Sequence, residues 1–228
     1  MQPMPQPMRP EWPNTIPDVV RSGQLDALVA LERIGTRQRV SRNREIYAEG
    51  ESAQHWYEVL SGTVRVCKFL ADGRRHIVEF YSAGDSFGLQ SGAERGFSAE
   101  AVTDVTVMRY SRAATERALD ESPALDRRLR ELTLRSLAAA QGRLLLLGRM
   151  TAPERVAAFL LDTIERNDGN LRFDLPMSRG DIADYLGLTI ETVCRILSDF
   201  KRRGIIAIPN PHRIEILDCD ALEAIEED

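Results

Sequence analysis

A chain of 228 residues, 43% hydrophobic and 29% charged, has the composition of a globular protein of one large domain or two small ones. A net charge of −5 and an isoelectric point near 5.4 exclude a protein that coats nucleic acid through a basic surface, so any such affinity must come from local patches. There is no run of about eighteen apolar residues, and the opening MQPMPQPMRPEWP lacks the charged and apolar regions of a leader, which predicts a cytoplasmic protein with no membrane partner.

The first segment carries prolines at 3, 5, 7, 10, 13 and 17 and is read as a disordered or extended arm over 1–20. From about Thr36 to Tyr110 the pattern turns to short Val-, Ile-, Phe- and Tyr-rich segments broken at Gly62, Asp72-Gly73, Gly84 and Gly88. This predicts an antiparallel sandwich or barrel. Helical spacing follows from Arg112, with Pro123 as a helix start. Leu125, Leu129, Leu132, Ser136, Ala139, Arg143, Leu146 and Met150 then recur at steps of four and three, the spacing of a helix that pairs with its copy. The alternative is that this stripe packs on its own β-domain. Thr151 and Pro153 open a further helix that Gly169 ends, so a domain boundary is expected near 149–153.

The stretch SRGDIADYLGLTIETVCRILSDFKRRG, from Ser178 to Gly204, reads as two short helices about a tight turn at Gly187. Ser178 and Asp181 form a capping-box pattern, and Thr189 is placed to cap the second helix. On that helix Val193, Ile196, Leu197 and Phe200 make the apolar stripe, which turns Glu191, Arg195, Ser198 and Arg202 outward. Arg195 can give a bidentate pair to guanine and Glu191 can accept from cytosine N4, with Ile190 and Cys194 beside them in the base-reading set. The alternative is a plain i,i+4 salt bridge on a solvated helix. Ser178, Arg179, Thr189, Ser198, Arg202, His212 and Arg213 are candidate phosphate contacts. His212 and Arg213 lie at the tip of a predicted β-wing formed by IIAI and IEIL.

A β-domain, a long helix and the motif RGDIADYLGLTIETVCRIL resemble the CRP/FNR family of bacterial transcription regulators, and the FNR/FixK branch in particular. The resemblance implies an α+β fold. A jelly-roll-like β-roll of the cyclic-nucleotide-binding type would span 21–112, a dimerisation helix 113–149 and a winged helix-turn-helix 150–228. It implies a homodimer that reads a palindromic TTGAT-like site in double-stranded DNA, contacts RNA polymerase and acts as an activator. Glu191 and Arg195 would read its C and G, and Arg179 would hold a phosphate. Where that branch has Ser between them, this chain has Cys194.

The same resemblance frames the question of an effector. No cysteine precedes Cys67, so thiolates for a four-cysteine iron–sulfur cluster are lacking. In place of the Gly-Glu and Arg-Ser pairs that hold a cyclic nucleotide phosphate stand Gly88-Leu89 and Phe97-Ser98, and an apolar ring does not neutralise a phosphate. No cofactor is therefore expected. Arg95 keeps a cyclic-nucleotide alternative open, and Cys67, His55 and His76 keep open a haem one. Cys194, near a helix N-terminus and beside Arg195, is a candidate redox site whose oxidation would weaken DNA binding; the alternative is a small packed stand-in for Ser or Ala. No P-loop, G-x-S-x-G or metal-ligand pair is present, so no enzyme is expected.

Overall fold

The computed structural model describes residues 27, 29–90 and 92–226; the arm expected over 1–20 lies outside them. Alternation of apolar and polar residues builds β1 (Gly35–Val40), β2 (Glu45–Tyr47), β3 (His55–Ser61), β4 (Val64–Phe69), β5 (Arg75–Tyr81), β6 (Ser86–Phe87), β7 (Ser98–Ala101) and β8 (Val105–Ser111). They pair antiparallel in two four-stranded sheets, β1-β8-β3-β6 and β2-β7-β4-β5. One core is shared between them. Val40, Val59 and Val107 from the first sheet meet Tyr47, Val64, Val66 and Ala99 from the second, with Tyr57 stacked on Phe87 at 5.1 Å. This is the expected jelly-roll-like domain.

Helix α1 (Arg112–Glu121) is locked to the roll by Trp56, whose buried Nε1–H donates to Thr115 Oγ1 at 3.0 Å. Helix α2 (Pro123–Arg149) follows after a break at Ser122, so the single helix expected over 113–149 is two. The proline explains the break. Its ring bars Ser122 from helical geometry, and Ser122 instead sits extended (φ −136°, ψ 93°) and accepts from the Leu125 amide as N-cap.

The face of α2 expected to meet a second copy is also corrected in part. Leu125 and Leu132 are buried, Leu125 with Leu129 beside it in a cluster of Leu31, Trp56 and Tyr110, and Arg143 turns inward to Glu79 and Tyr185. Leu146 packs half-buried on the C-terminal core, while Ser136 and Ala139 are exposed and Met150 is half-buried. The exposed apolar residues are Leu134, Leu137, Leu144 and Leu145, a stripe about two positions away. Leucine spacing alone does not say which neighbour takes which face, and here the chain's own domains take Leu125, Leu129, Arg143 and Leu146 of the first one.

Helix α3 (Ala152–Arg166) starts at Thr151, whose side chain exchanges cap hydrogen bonds with Glu154. Then come β9 (Arg172–Asp174), α4 (Arg179–Leu186), α5 (Ile190–Arg202), β10 (Ile206–Asn210), β11 (Arg213–Ile216) and α6 (Cys219–Glu226). The three strands form one antiparallel sheet, β10-β11-β9, and β10 with β11 is the wing. A second core gathers Val156, Leu160, Leu186, Val193, Phe200 and Ile214, and it continues into Cys67, Ile77 and Phe80 of the β-roll. The helix pair is thus seated on the outer surface of β4 and β5.

Candidate nucleic-acid interface

The turn between α4 and α5 works because Gly187 takes the left-handed conformation (φ 64°), which a residue with a Cβ adopts only under strain. Ser178 closes the start of α4, accepting from the Asp181 amide and donating to its carboxylate, and Thr189 closes α5 by accepting from the Thr192 amide at 3.3 Å. Val193, Ile196, Leu197 and Phe200 are buried beneath α5, so its opposite face is fixed in direction by packing. That face carries Ile190, Glu191, Cys194, Arg195, Ser198 and Arg202, all exposed.

Glu191 and Arg195 do not form the salt bridge that their i,i+4 spacing allows. Glu191 is held by its own turn: hydrogen bonds from its own amide and from the Thr189 hydroxyl keep its carboxyl below the usual carboxylate range, so it is ionised and acceptor-only. The Arg195 guanidinium makes no ion pair or hydrogen bond among the described residues, and its planar set of donors faces solvent. An ionised acceptor and a free bidentate donor one helical turn apart, on a rigid helix, are the pair that cytosine N4 and guanine O6/N7 require in a major groove.

The candidate phosphate contacts fare unequally. Ser178 spends its hydroxyl proton on Asp181, at 2.8 Å, and has none left for a phosphate oxygen, so it belongs to the helix cap. Ser198 donates to the Cys194 carbonyl at 2.7 Å, and Arg202 pairs with Asp199. Arg179 donates to the Pro211 carbonyl at 3.1 Å, tying the start of α4 to the wing tip. Arg213 makes two 2.9 Å bonds to Asp174, and the His212 ring Nδ1 lies 3.2 Å from the Leu175 carbonyl. Lys201, exposed in the last turn of α5, adds a cation to the same rim.

Inside the β-roll, Arg95 is 4% exposed and fills the space beside Gly88. Its guanidinium donates to the carbonyls of Gly88 (3.0 Å) and His55 and lies 4.1 Å over the Tyr47 ring. Its Nη1 comes within 2.9 Å of where a Cβ on Gly88 would sit, and Gly88 takes the left-handed conformation (φ 77°) that favours glycine. Arg112, from the start of α1, also donates to the Gly88 carbonyl, at 2.9 Å, and to that of Gln90. Cys67 is wholly buried, and burial pushes its thiol up to about 11. Sequence reasoning missed the contacts between the two domains. Asp181 pairs with Arg65 and Arg75, and Glu79 pairs with Arg143 and Tyr185. The one local signal was an acidic residue in a cap that is also buried.

A β-roll, a long helix and a capped helix-turn-helix with a wing define a DNA-binding regulator with an attached β-domain. A cyclic nucleotide-binding domain matches residues 37–122, and a Crp-like helix-turn-helix domain matches residues 154–225. The nitrogen fixation regulation protein FixK of Rhizobium meliloti is 44% identical over 182 residues, 80% of this chain and 83% of the relative. The transcriptional activatory protein AadR of Rhodopseudomonas palustris is 37% identical over 85% of this chain and 82% of its own length. The solved structure of FixK2 from Bradyrhizobium japonicum superposes with a TM-score of 0.81 at 40% identity, covering 85% of this chain and 98% of that one. The chain belongs to the CRP/FNR family of transcription regulators, with FixK proteins among its relatives. No described helix is long and apolar enough to cross a membrane.

Proposed function

We propose that this DNA-binding regulator acts as a homodimer on a palindromic TTGAT-like operator, Glu191 accepting from its cytosine and Arg195 pairing with its guanine. The observation that carries the reading is that neither side chain makes an ion pair among the described residues, on a helix whose orientation is set by a packed core. Ile190 and Cys194 lie beside them against the bases. Arg179, Thr189, Ser198, Arg202, His212 and Arg213 would meet phosphates, the arginines and Ser198 by exchanging their internal partners for the DNA backbone. The dimer would form along Leu134, Leu137, Leu144 and Leu145, whose exposure on one long helix supports a second copy of α2 as occupant. Activation through RNA polymerase rests on likeness to relatives named as activators.

The β-roll would work without a cyclic nucleotide. Leu89 and Phe97 replace charged groups, and Arg95 spends its donors on backbone carbonyls instead of a ligand phosphate. One observation favours an effector-gated reading: the buried Arg95 Nε has no partner among the described residues. Cyclic AMP or cyclic GMP raising the melting temperature would select that second reading, and an unchanged temperature the first. Cys194 is exposed on the DNA-facing side, so oxidation there would place polar bulk against phosphate. Mild peroxide should then weaken operator binding by the wild type and not by Cys194→Ser. Equal loss in both removes Cys194 from the account.

A further inference from the structure

The Asp181 carboxylate faces two ways. Oδ2 accepts from the Ser178 amide at 3.0 Å and hydroxyl at 2.8 Å, closing the start of α4. Oδ1 accepts from Arg65 Nη1 at 3.1 Å and Arg75 Nη2 at 2.5 Å, on the paired strands β4 and β5. Arg75 also holds Asp184 at 2.7 Å, and Arg65 is itself braced by Glu100 of β7 at 2.7 Å. One turn further along α4, the Tyr185 hydroxyl donates to Glu79 of β5 at 3.3 Å, and Arg143 from α2 joins the same Glu79 at 2.8 Å. Three residues of an eight-residue helix are thereby gripped by one β-hairpin.

These contacts are directional in a way that apolar packing is not. A buried carboxylate displaced from its guanidinium partners is left uncompensated, so the helix has one ionic seat on the hairpin. Helices α4 and α5 share a core and a tight turn and move together, so the seat of α4 also sets where the outer face of α5 points.

We propose that Arg65 and Arg75 are positioning residues for DNA binding. Acting through Asp181 and Asp184, they orient the helix-turn-helix unit against the β-roll, and so set the separation of the two recognition helices in the homodimer. The inference rests on the homodimer and palindrome reading above. Two half-sites one helical turn apart, about 34 Å, admit only one separation of those helices, whereas a single half-site meets one α5 and is indifferent to it. Loss of the ionic seat therefore lowers affinity for the palindrome and spares the half-site.

The test uses the full-length reduced protein at fixed salt, titrated against the palindrome and against a duplex of equal length bearing one half-site. The wild type, Arg75→Gln, Asp184→Asn and the double variant are compared, each with its melting temperature. The expected result is a palindrome-to-half-site preference in the wild type that falls at least about fivefold in either single variant, with half-site affinity unchanged. The double variant should lose no more than Arg75→Gln alone, because the contact that Asp184→Asn removes is one of the two that Arg75→Gln removes. Asp184→Asn, a change at a half-buried residue that leaves the cap intact, keeps the test decisive if Arg75→Gln folds poorly. A wild-type preference that survives both substitutions overturns the inference alone, as does an equal loss on both duplexes. A wild type that does not prefer the palindrome overturns the homodimeric reading, and the inference with it.

Discussion

Asp181 and Glu191 are each an acidic residue in the first turn of a helix of the same helix-turn-helix, yet they are used in opposite ways. Asp181, 4% exposed, is enclosed by Ser178, Arg65 and Arg75 and has no capacity left for an outside partner. Glu191 is exposed, braced only by its own turn, and stands one helical turn from an arginine that has no partner. A paired, buried charge specifies how parts of a chain sit together, and an unpaired charge on a rigid face marks where another molecule fits. On the proposed reading, the inner side of the α4–α5 pair is architecture and the outer side is readout.

If that contrast is right, substitutions on the two sides should separate stability from affinity. The largest effect is expected for Asp181→Ala, which strips a carboxylate from two guanidinium groups and from the helix cap. It should cost about 3 kcal/mol of unfolding free energy in urea. Next comes Arg195→Ala, expected to lose about 1–3 kcal/mol of operator affinity and to relax discrimination at the guanine, while urea stability stays within about 0.5 kcal/mol. Leu137→Arg together with Leu144→Arg should shift the sedimentation equilibrium from dimer to monomer without unfolding the chain, because both side chains are exposed in the single protomer.

Acid should also tell the two sides apart. Burial alone would raise the Asp181 pKa, but the hydrogen bonds from Ser178 and the charges of Arg65 and Arg75 outweigh it, and the value falls below that of a free carboxyl. A depressed carboxyl stabilises above its unfolded value near pH 4, and the contribution is lost as pH falls through the folded value. Urea midpoints measured below about pH 4 should thus flatten most in Asp181→Asn; the exposed Glu191 carboxyl, also held below its free value, contributes with the same sign, so Glu191→Gln should flatten them less. The smallest effect is expected for Arg202→Ala, on the rim of the outer face. It should weaken all DNA sequences alike and reduce the salt dependence of binding by about one counterion.

Much of the outer side was legible from local sequence. The Ser178–Asp181 cap, the Thr189 cap, the turn at Gly187 and the stripe under α5 are all encoded within a few residues, and each forms in the structure. The jelly-roll-like domain was legible for the same reason, since alternation and turn glycines act over short range. The inner side was not legible, because Arg65 and Asp181 are 116 residues apart and neither segment announces the other. The stripe on α2 misled for a related reason. Leu125, Leu129 and Leu132 repeat as a dimer seam would, but periodicity records that a face is buried and not against what; Leu132 is buried within the protomer, and the cluster around Trp56 and Tyr110 takes Leu125 and Leu129. Arg143 fitted the same spacing and turned inward to a carboxylate 64 residues earlier.

The measurement that bears most directly on the outer face as reader is a titration of reduced full-length protein, without added ligand and at fixed salt. The DNA is a TTGAT-type palindrome and a copy with the outer G·C pairs exchanged. The account predicts tight binding to the first and a loss of about 1–3 kcal/mol for each exchanged pair, with that loss smaller in Arg195→Ala and abolished when Glu191→Ala is added. Equal binding of the two duplexes by the wild type, or a preference that Arg195→Ala retains in full, would contradict it.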